Sequence, residues 1–257
     1  MRRLCFLSVL LLAAIAPARS ERQPHLVVAN SLTLTAASDG FIGKLELLED
    51  ARLTPALEKT LWGSGGPEMA LDQNDPRYKD LTTNVLLNAV LRLIDAQGKT
   101  VSRTVLEREQ ARIRFEKLYP GRRAILLTTD LSAGSGSYSG PVTELMTADG
   151  GRLKTVVARD EESGSSDPIR LMSTLKSAWK LVPAAASKNT QKDILMVACR
   201  PDYDAEYAGD FILTYTRYHW DGKGWIVLNR KVRGSWENDN EFPALEQFPA
   251  VVKPKRT

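Results

Sequence analysis

The chain has 257 residues, of which 43% are hydrophobic and 26% charged, a balance that suits a globular protein with enough apolar material for a sizeable core. Its 35 Lys and Arg against 31 Asp and Glu give a formal charge of +4, but Arg2, Arg3 and Arg19 fall within the first twenty residues. Without those three the chain is close to neutral, so nucleic acid is not an expected partner, and with only two histidines a multi-histidine zinc site is excluded.

From the N-terminus, Met1, Arg2 and Arg3 form a basic start, Leu4 to Ala16 is an apolar run, and Pro17 breaks it ahead of small residues. That pattern predicts a secretory signal peptide over 1–20, cleaved after Ala18 or after Ser20. What remains, 21–257, is expected to be a single β-rich globular domain, with one possible internal boundary near 160–190. It is expected to be exported, to the periplasm or beyond the cell, and to be a monomer. No second long apolar stretch follows, so no transmembrane anchor is expected. The only other cysteine besides Cys199 is Cys5, inside the leader, which leaves no intramolecular disulfide to be made.

The predicted elements follow in chain order. Residues 25–35 alternate like a strand. In "TPALEKTLWGSGG", Thr54 suits an N-cap, Pro55 the first helical position, Leu57 and Leu61 share a face, and the glycines stop the helix. Residues 84–94 and 100–106 flank "DAQGK" as a hairpin, the charges of "EREQARIRFEKL" at 107–118 favour helix while "ARIRFEKL" alternates like a strand, the reading preferred, and 124–129 reads as a largely buried strand. A second hairpin runs from 142–147 through "ADGG" to 153–158. Over 167–183, Ile169, Met172, Leu175, Trp179 and Val182 recur at three- and four-residue steps between Pro168 and Pro183, which predicts an amphipathic helix. A short apolar run at 194–198 precedes the strongest hairpin signal, "FILTYTRYHW" turning through "DGKG" into "WIVLNRKV". The fold class that results is mainly β (α+β): antiparallel sheets built from hairpins, with two or so short helices packed on the sheet.

Four constellations carry possible chemistry. The loop "DLSAGSGSYSGP" places Asp130, Ser135, Ser137, Tyr138 and Ser139 at one sheet edge. It lacks the G-x-S-x-G order of a nucleophile elbow, because Tyr138 holds the central position, and it feeds a strand rather than a phosphate-binding helix. The expectation is a glycine-rich crossing that folds Tyr138 onto the core, with ligand contact as the alternative. "STLK" at 173–176 matches S-x-x-K, where a lysine one helical turn after a serine can activate it, but the partner motifs are absent and Lys176 is expected to be solvated. In "PDYDAEYAGD", Asp202, Asp204, Glu206 and Asp210 alternate as calcium ligands often do, without the glycine position or closing glutamate of a helix-loop-helix calcium site. Lastly, aromatics crowd the C-terminal third. Tyr218, Trp220 and Trp225 there either pack across a hairpin or present a row of rings to a sugar or a partner.

Taken together, these residues predict a non-catalytic binding protein for a glycan, a peptide or an envelope protein. The candidate ligand-binding residues are Asp130, Ser137, Tyr138, Tyr218, Trp220 and Trp225. Asp202, Asp204, Glu206 and Asp210 are candidates for calcium, and no other cofactor is expected. A hydrolase of envelope polymers, using a carboxylate pair such as Asp130 and Glu144, is the alternative.

Overall fold

Three largely antiparallel β-sheets stack in layers, and the middle one is dry on both faces at the centre of an inner strand. The computed structural model describes residues 25–62, 71–72, 74–83, 85–109, 111–129, 137–184, 191–203 and 210–251. The first sheet has the order β1 (Leu26–Leu34), β2 (Gly43–Asp50), β3 (Asn88–Asp95), β4 (Thr100–Glu109). The middle sheet contains β5 (Ala111–Tyr119), β6 (Arg122–Thr129) and β7 (Val142–Asp149), with β8 (Arg152–Thr155) hairpinned onto β7. The third contains β9 (Val157–Asp160) and β10 (Ser166–Pro168). β11 (Arg170–Met172) returns to the middle sheet beside β7, and β12 (Ser177–Pro183), β13 (Lys192–Pro201), β14 (Phe211–Trp220) and β15 (Trp225–Arg233) complete the third. Among the described residues all strand pairings are antiparallel except β9 with β15.

The period of two in β6 explains the layering. Ile125 and Leu127 point into a core shared with the first sheet, where they meet Leu45, Leu47, Leu91 and Leu93. Ala124 and Leu126 point the opposite way, into a core shared with the third sheet that contains Leu145, Leu171, Ile194, Tyr218 and Trp225. Hence "AILL" is a continuous apolar run rather than an alternating one, because both faces of the strand are dry. The third sheet is covered on its far side as well: Leu195, Val197, Cys199, Leu213 and Tyr215 pack under Trp236 and Phe248 of the C-terminal segment.

The helices are short, as expected of this fold class. Thr54 caps α2 (Pro55–Trp62), its Oγ1 accepting from Leu57 N at 3.2 Å, as the sequence predicts. A four-residue α1 (Ala36–Asp39) and α3 (Pro76–Thr82), the latter capped by Asp75 on Arg77 N at 2.9 Å, were not foreseen, nor was β2. The predicted helix over 167–183 is overturned, for β10, β11 and β12 occupy it. Leu175, which that helix would bury, is 44% exposed, while Leu171, off its apolar face, is fully buried. The misleading spacing comes from β12 having two apolar faces: Trp179 and Leu181 pack towards the middle sheet, Ala178 and Val182 towards the C-terminal segment. Apolar residues on both faces of a strand fill three- and four-residue steps without any helix.

The excursion from β2 to β3 is tied back by one buried carboxylate. Asp50 accepts Leu86 N at 3.0 Å and Arg52 Nε at 2.8 Å, so both ends of the excursion meet at one side chain. These bonds, the Arg52 side chain first, hold the Asp50 carboxyl at about 2 against an ordinary 3.8.

Two stability predictions follow from this geometry. Leu126→Ala and Leu127→Ala open cavities in different cores but should each cost about 2–5 kcal/mol in urea unfolding. Because both cores share β6, circular dichroism and tryptophan fluorescence should report one coincident transition in each variant. For Asp50, the depressed folded-state value means that the stabilisation is present at neutral pH and is lost as pH falls from about 4 to about 2. Asp50→Asn should therefore lose about 2 kcal/mol at pH 7 and show a shallower acid limb than the wild type.

Candidate functional site

The loop between β6 and β7 and the turn between β11 and β12 are locked together. Lys176 N donates to Ser137 O at 3.1 Å and Ser173 N to Pro141 O at 2.9 Å. Gly140 sits at φ +153 with its backbone so close to the turn that a Cβ there would lie 2.4 Å from Ser173 O. Glycine is required at that contact. The loop thus acts as a clamp, and the Asp130 and Ser135 candidates lie outside the described residues.

Tyr138 corrects the expectation of a core anchor, since 43% of it is exposed. Its ring stands instead at a cavity of about 250 Å³ whose walls include Met172, Thr174, Lys176, Cys199 and Tyr203. Tyr203, 89% exposed, is the last described residue before 204–209. The glycine-serine loop and the start of the acidic loop, singled out separately in the sequence, therefore converge on one cavity. Lys176 is not solvated: its side chain is 11% exposed, its Nζ is 2.5 Å from Glu237 Oε1, and it lies 5.1 Å over the Phe211 ring. The Glu237 carboxylate beside it raises the pKa of the ammonium, so it stays a cation. The S-x-x-K reading fails on geometry too, because Thr174 and Ser177 bracket a tight turn, with their hydroxyls 2.9 Å apart, instead of one turn of helix.

A second and larger space, about 720 Å³, opens between the first and middle sheets and shares Met172 with the cavity just described. Leu91 and Leu106 line it from the first sheet, Leu127 and Met146 from the middle one. On its wall Arg170 Nε donates to Glu144 Oε1 at 2.8 Å across the β11–β7 pair. Thr104, Val105 and Leu106 all border this groove. Consecutive residues of a strand point to opposite faces, so three in a row can touch one groove only where it runs along the strand's edge. β4 is the edge of its sheet, and Val105 is 53% exposed.

The remaining candidates are placed as follows. Tyr218, Trp220 and Trp225 form no exposed row: Tyr218 and Trp225 are buried between the middle and third sheets, and Trp220 is half-buried. Trp220 pairs with Trp225 across the hairpin, ring centroids 6.1 Å apart, and stacks on Tyr119 at 4.7 Å. Burial pushes the Tyr218 phenol up to about 12. These rings hold sheets together. Of the acidic candidates, Asp204 and Glu206 lie outside the described residues, while Asp202 N donates to Asp210 O at 2.8 Å and closes the base of the loop. No group of three metal-ligating side chains occurs among the described residues. Glu144, half of the proposed hydrolase pair, is engaged by Arg170. His219 is held through Nδ1, 2.8 Å from Asp193 Oδ1, on the face of the third sheet that bears the C-terminal segment. Val105, Arg170 and Met172 carried no sequence signal as binding residues, because residues of six strands, β3, β4, β6, β7, β8 and β11, bring the groove together.

The two loop positions predict opposite outcomes. Tyr138→Ala should melt within a few degrees of the wild type, since it removes an exposed ring. Gly140→Ala should lose about 1–3 kcal/mol, as strain at a restricted backbone position does. A large loss in Tyr138→Ala would restore the core-anchor reading; differential scanning calorimetry of both variants separates the cases. No family model, curated protein or solved structure matches this chain.

Proposed function

We propose that this is an exported, non-catalytic binding protein whose groove between the first and middle sheets takes an extended peptide by strand addition to β4. One observation carries the reading: an apolar groove borders Thr104, Val105 and Leu106 of the ten-residue edge strand β4, which among the described residues pairs on one side only. An edge strand offers a row of unpaired N–H and C=O groups, and an adjoining apolar trough offers places for alternate side chains of an added strand. The Glu144–Arg170 pair gives the trough one polar landmark, and Tyr138 and Tyr203 extend the surface past Met172. Glycans are less well served, because no aromatic ring lines the groove among the described residues. An exported protein would have a mature N-terminus at Arg19 or Glu21, readable by mass spectrometry.

The test uses the mature protein against a displayed library of unstructured peptides of about eight residues, the length of an ordinary strand. Extended, apolar-alternating sequences should be enriched. Val105→Lys puts a charge at the groove's edge on an exposed side chain, so it should leave the melting temperature nearly unchanged while weakening the selected peptides at least tenfold, about 1.4 kcal/mol. Enrichment of no peptide, or equal binding by Val105→Lys, would overturn the proposal.

A further inference from the structure

At the other end of β6 from the groove, the β5–β6 hairpin carries a concentration of positive charge, of which Lys117 and Arg122 are not neutralised by any described residue. Two adjoining cavities lie there, of about 430 Å³ and 550 Å³, and Lys117 and Arg123 line both. The first is completed by Thr35, Ser38, Tyr119 and Arg122, the second by Phe115, Glu116, Pro183, Gln191 and Lys192. The register between β5 and β6 shifts between Glu116 and Tyr119, an irregularity of the kind that re-aims side chains, and Lys117 falls within it.

The ionic accounting around these cavities is lopsided. Glu116 is shared by two cations, Lys192 at 2.7 Å and Arg114 at 3.1 Å. Asp39 is buried and fully engaged: it accepts Arg123 Nε at 3.1 Å, Thr35 N at 2.7 Å and the Ser38 hydroxyl at 3.0 Å. Asp149, whose field also reaches Arg122, is bound by Lys154 at 2.7 Å. Lys117 and Arg122, both exposed, make no ion pair with any described residue. Arg123 is fixed in place by Asp39 and by the Phe115 ring 3.8 Å from its guanidinium carbon. Thr35 and Ser38 stand on the same wall as these three cations, but their hydroxyl protons are committed, Thr35 donating to Ser38 Oγ at 2.6 Å and Ser38 to Asp39 Oδ2 at 3.0 Å.

We propose that this is a binding site for a phosphoryl-bearing ligand, with the phosphoryl group in the first cavity and the organic body in the second. Guanidinium and ammonium groups suit the several oxygens of a tetrahedral anion. The second cavity adds the apolar surfaces of Phe115 and Pro183, and the two together are larger than a bare anion needs. The source of the phosphoryl group is either a soluble phosphate ester or a phospholipid headgroup, which share this chemistry. The site is independent of the peptide groove: Arg123 and Thr129 lie six residues apart on one strand, about 20 Å.

The experiment measures the mature protein by isothermal titration against glycerol phosphate, and by co-sedimentation with phosphatidylcholine vesicles with and without phosphatidylglycerol, at low ionic strength. The double variant Lys117→Ala/Arg122→Ala changes only exposed residues and should fold normally. The control, Lys231→Ala/Arg233→Ala, removes equal charge near Ile212, the far end of the β14–β15 hairpin from Trp220 and so about 25 Å along it. Binding to the ester or to the phosphatidylglycerol vesicles that falls at least tenfold in the first double variant and not in the control supports the site, and which arm binds identifies the source. Failure of the wild type to bind in either arm, or equal losses in the two double variants, overturns it. Peptide binding by Lys117→Ala/Arg122→Ala should be unchanged, which keeps this test separate from that of the groove.

Discussion

The fold depends on a strand that must satisfy two cores at once. β6 alternates Ala124 and Leu126 against Ile125 and Leu127, and each pair closes a different hydrophobic layer. With water excluded from both faces at its centre, every side chain from Ala124 to Leu127 has to be apolar, and the strand's backbone polar groups are satisfied by ladders to β5 and β7. A third core under the C-terminal segment follows the same rule: the strands of the outer sheet are buried on their second face by Trp236 and Phe248. The cores are built without a disulfide, and Cys199, buried in the third of them, behaves as a small apolar side chain.

Stacking sheets in this way decides where ligands can go. The sheets diverge along β4, β7 and β11, and the space between them becomes the apolar groove. The loops at the C-terminal end of β6 gather beside it, held by the Gly140 contact with Ser173. At the N-terminal end of β6, beside the hairpin turn, Lys117 and Arg122 form a basic surface next to the buried Asp39–Arg123 pair. One strand therefore separates an apolar site from a cationic one. The separation has a simple origin, since the middle of β6 admits no polar side chain.

Buried ionic groups mark the joins between elements. Asp50 fastens the helical excursion to the first sheet, Asp39 fastens α1 to β6, and Asp193 meets His219 and Arg217 across β13 and β14. In each case the carboxylate faces a cation or backbone N–H, as desolvation of a charge demands. Arg217 Nε and Trp225 Nε1 are the buried side-chain polar atoms left without a hydrogen bond among the described residues.

Much of the local structure was legible in the sequence, because it rests on short-range rules. Thr54 and Pro55 announce a helix start, the "DGKG" turn sets the β14–β15 register that pairs Trp220 with Trp225, and the apolar run of β6 announces a largely buried strand. The same reasoning failed at 167–183, where a strand dressed on both faces reproduces helical spacing, and at β2 and α3, which it did not identify. The binding surfaces were hidden for a different reason. Tyr138 and Tyr203 meet at one cavity, Val105 and Arg170 border one groove, and Lys117 and Arg122 share one cleft, through pairings between residues that are distant or unremarkable in the chain. Sequence periodicity reports which side of a strand is dry, but only the stacking of sheets decides which dry sides meet and which edges stay open.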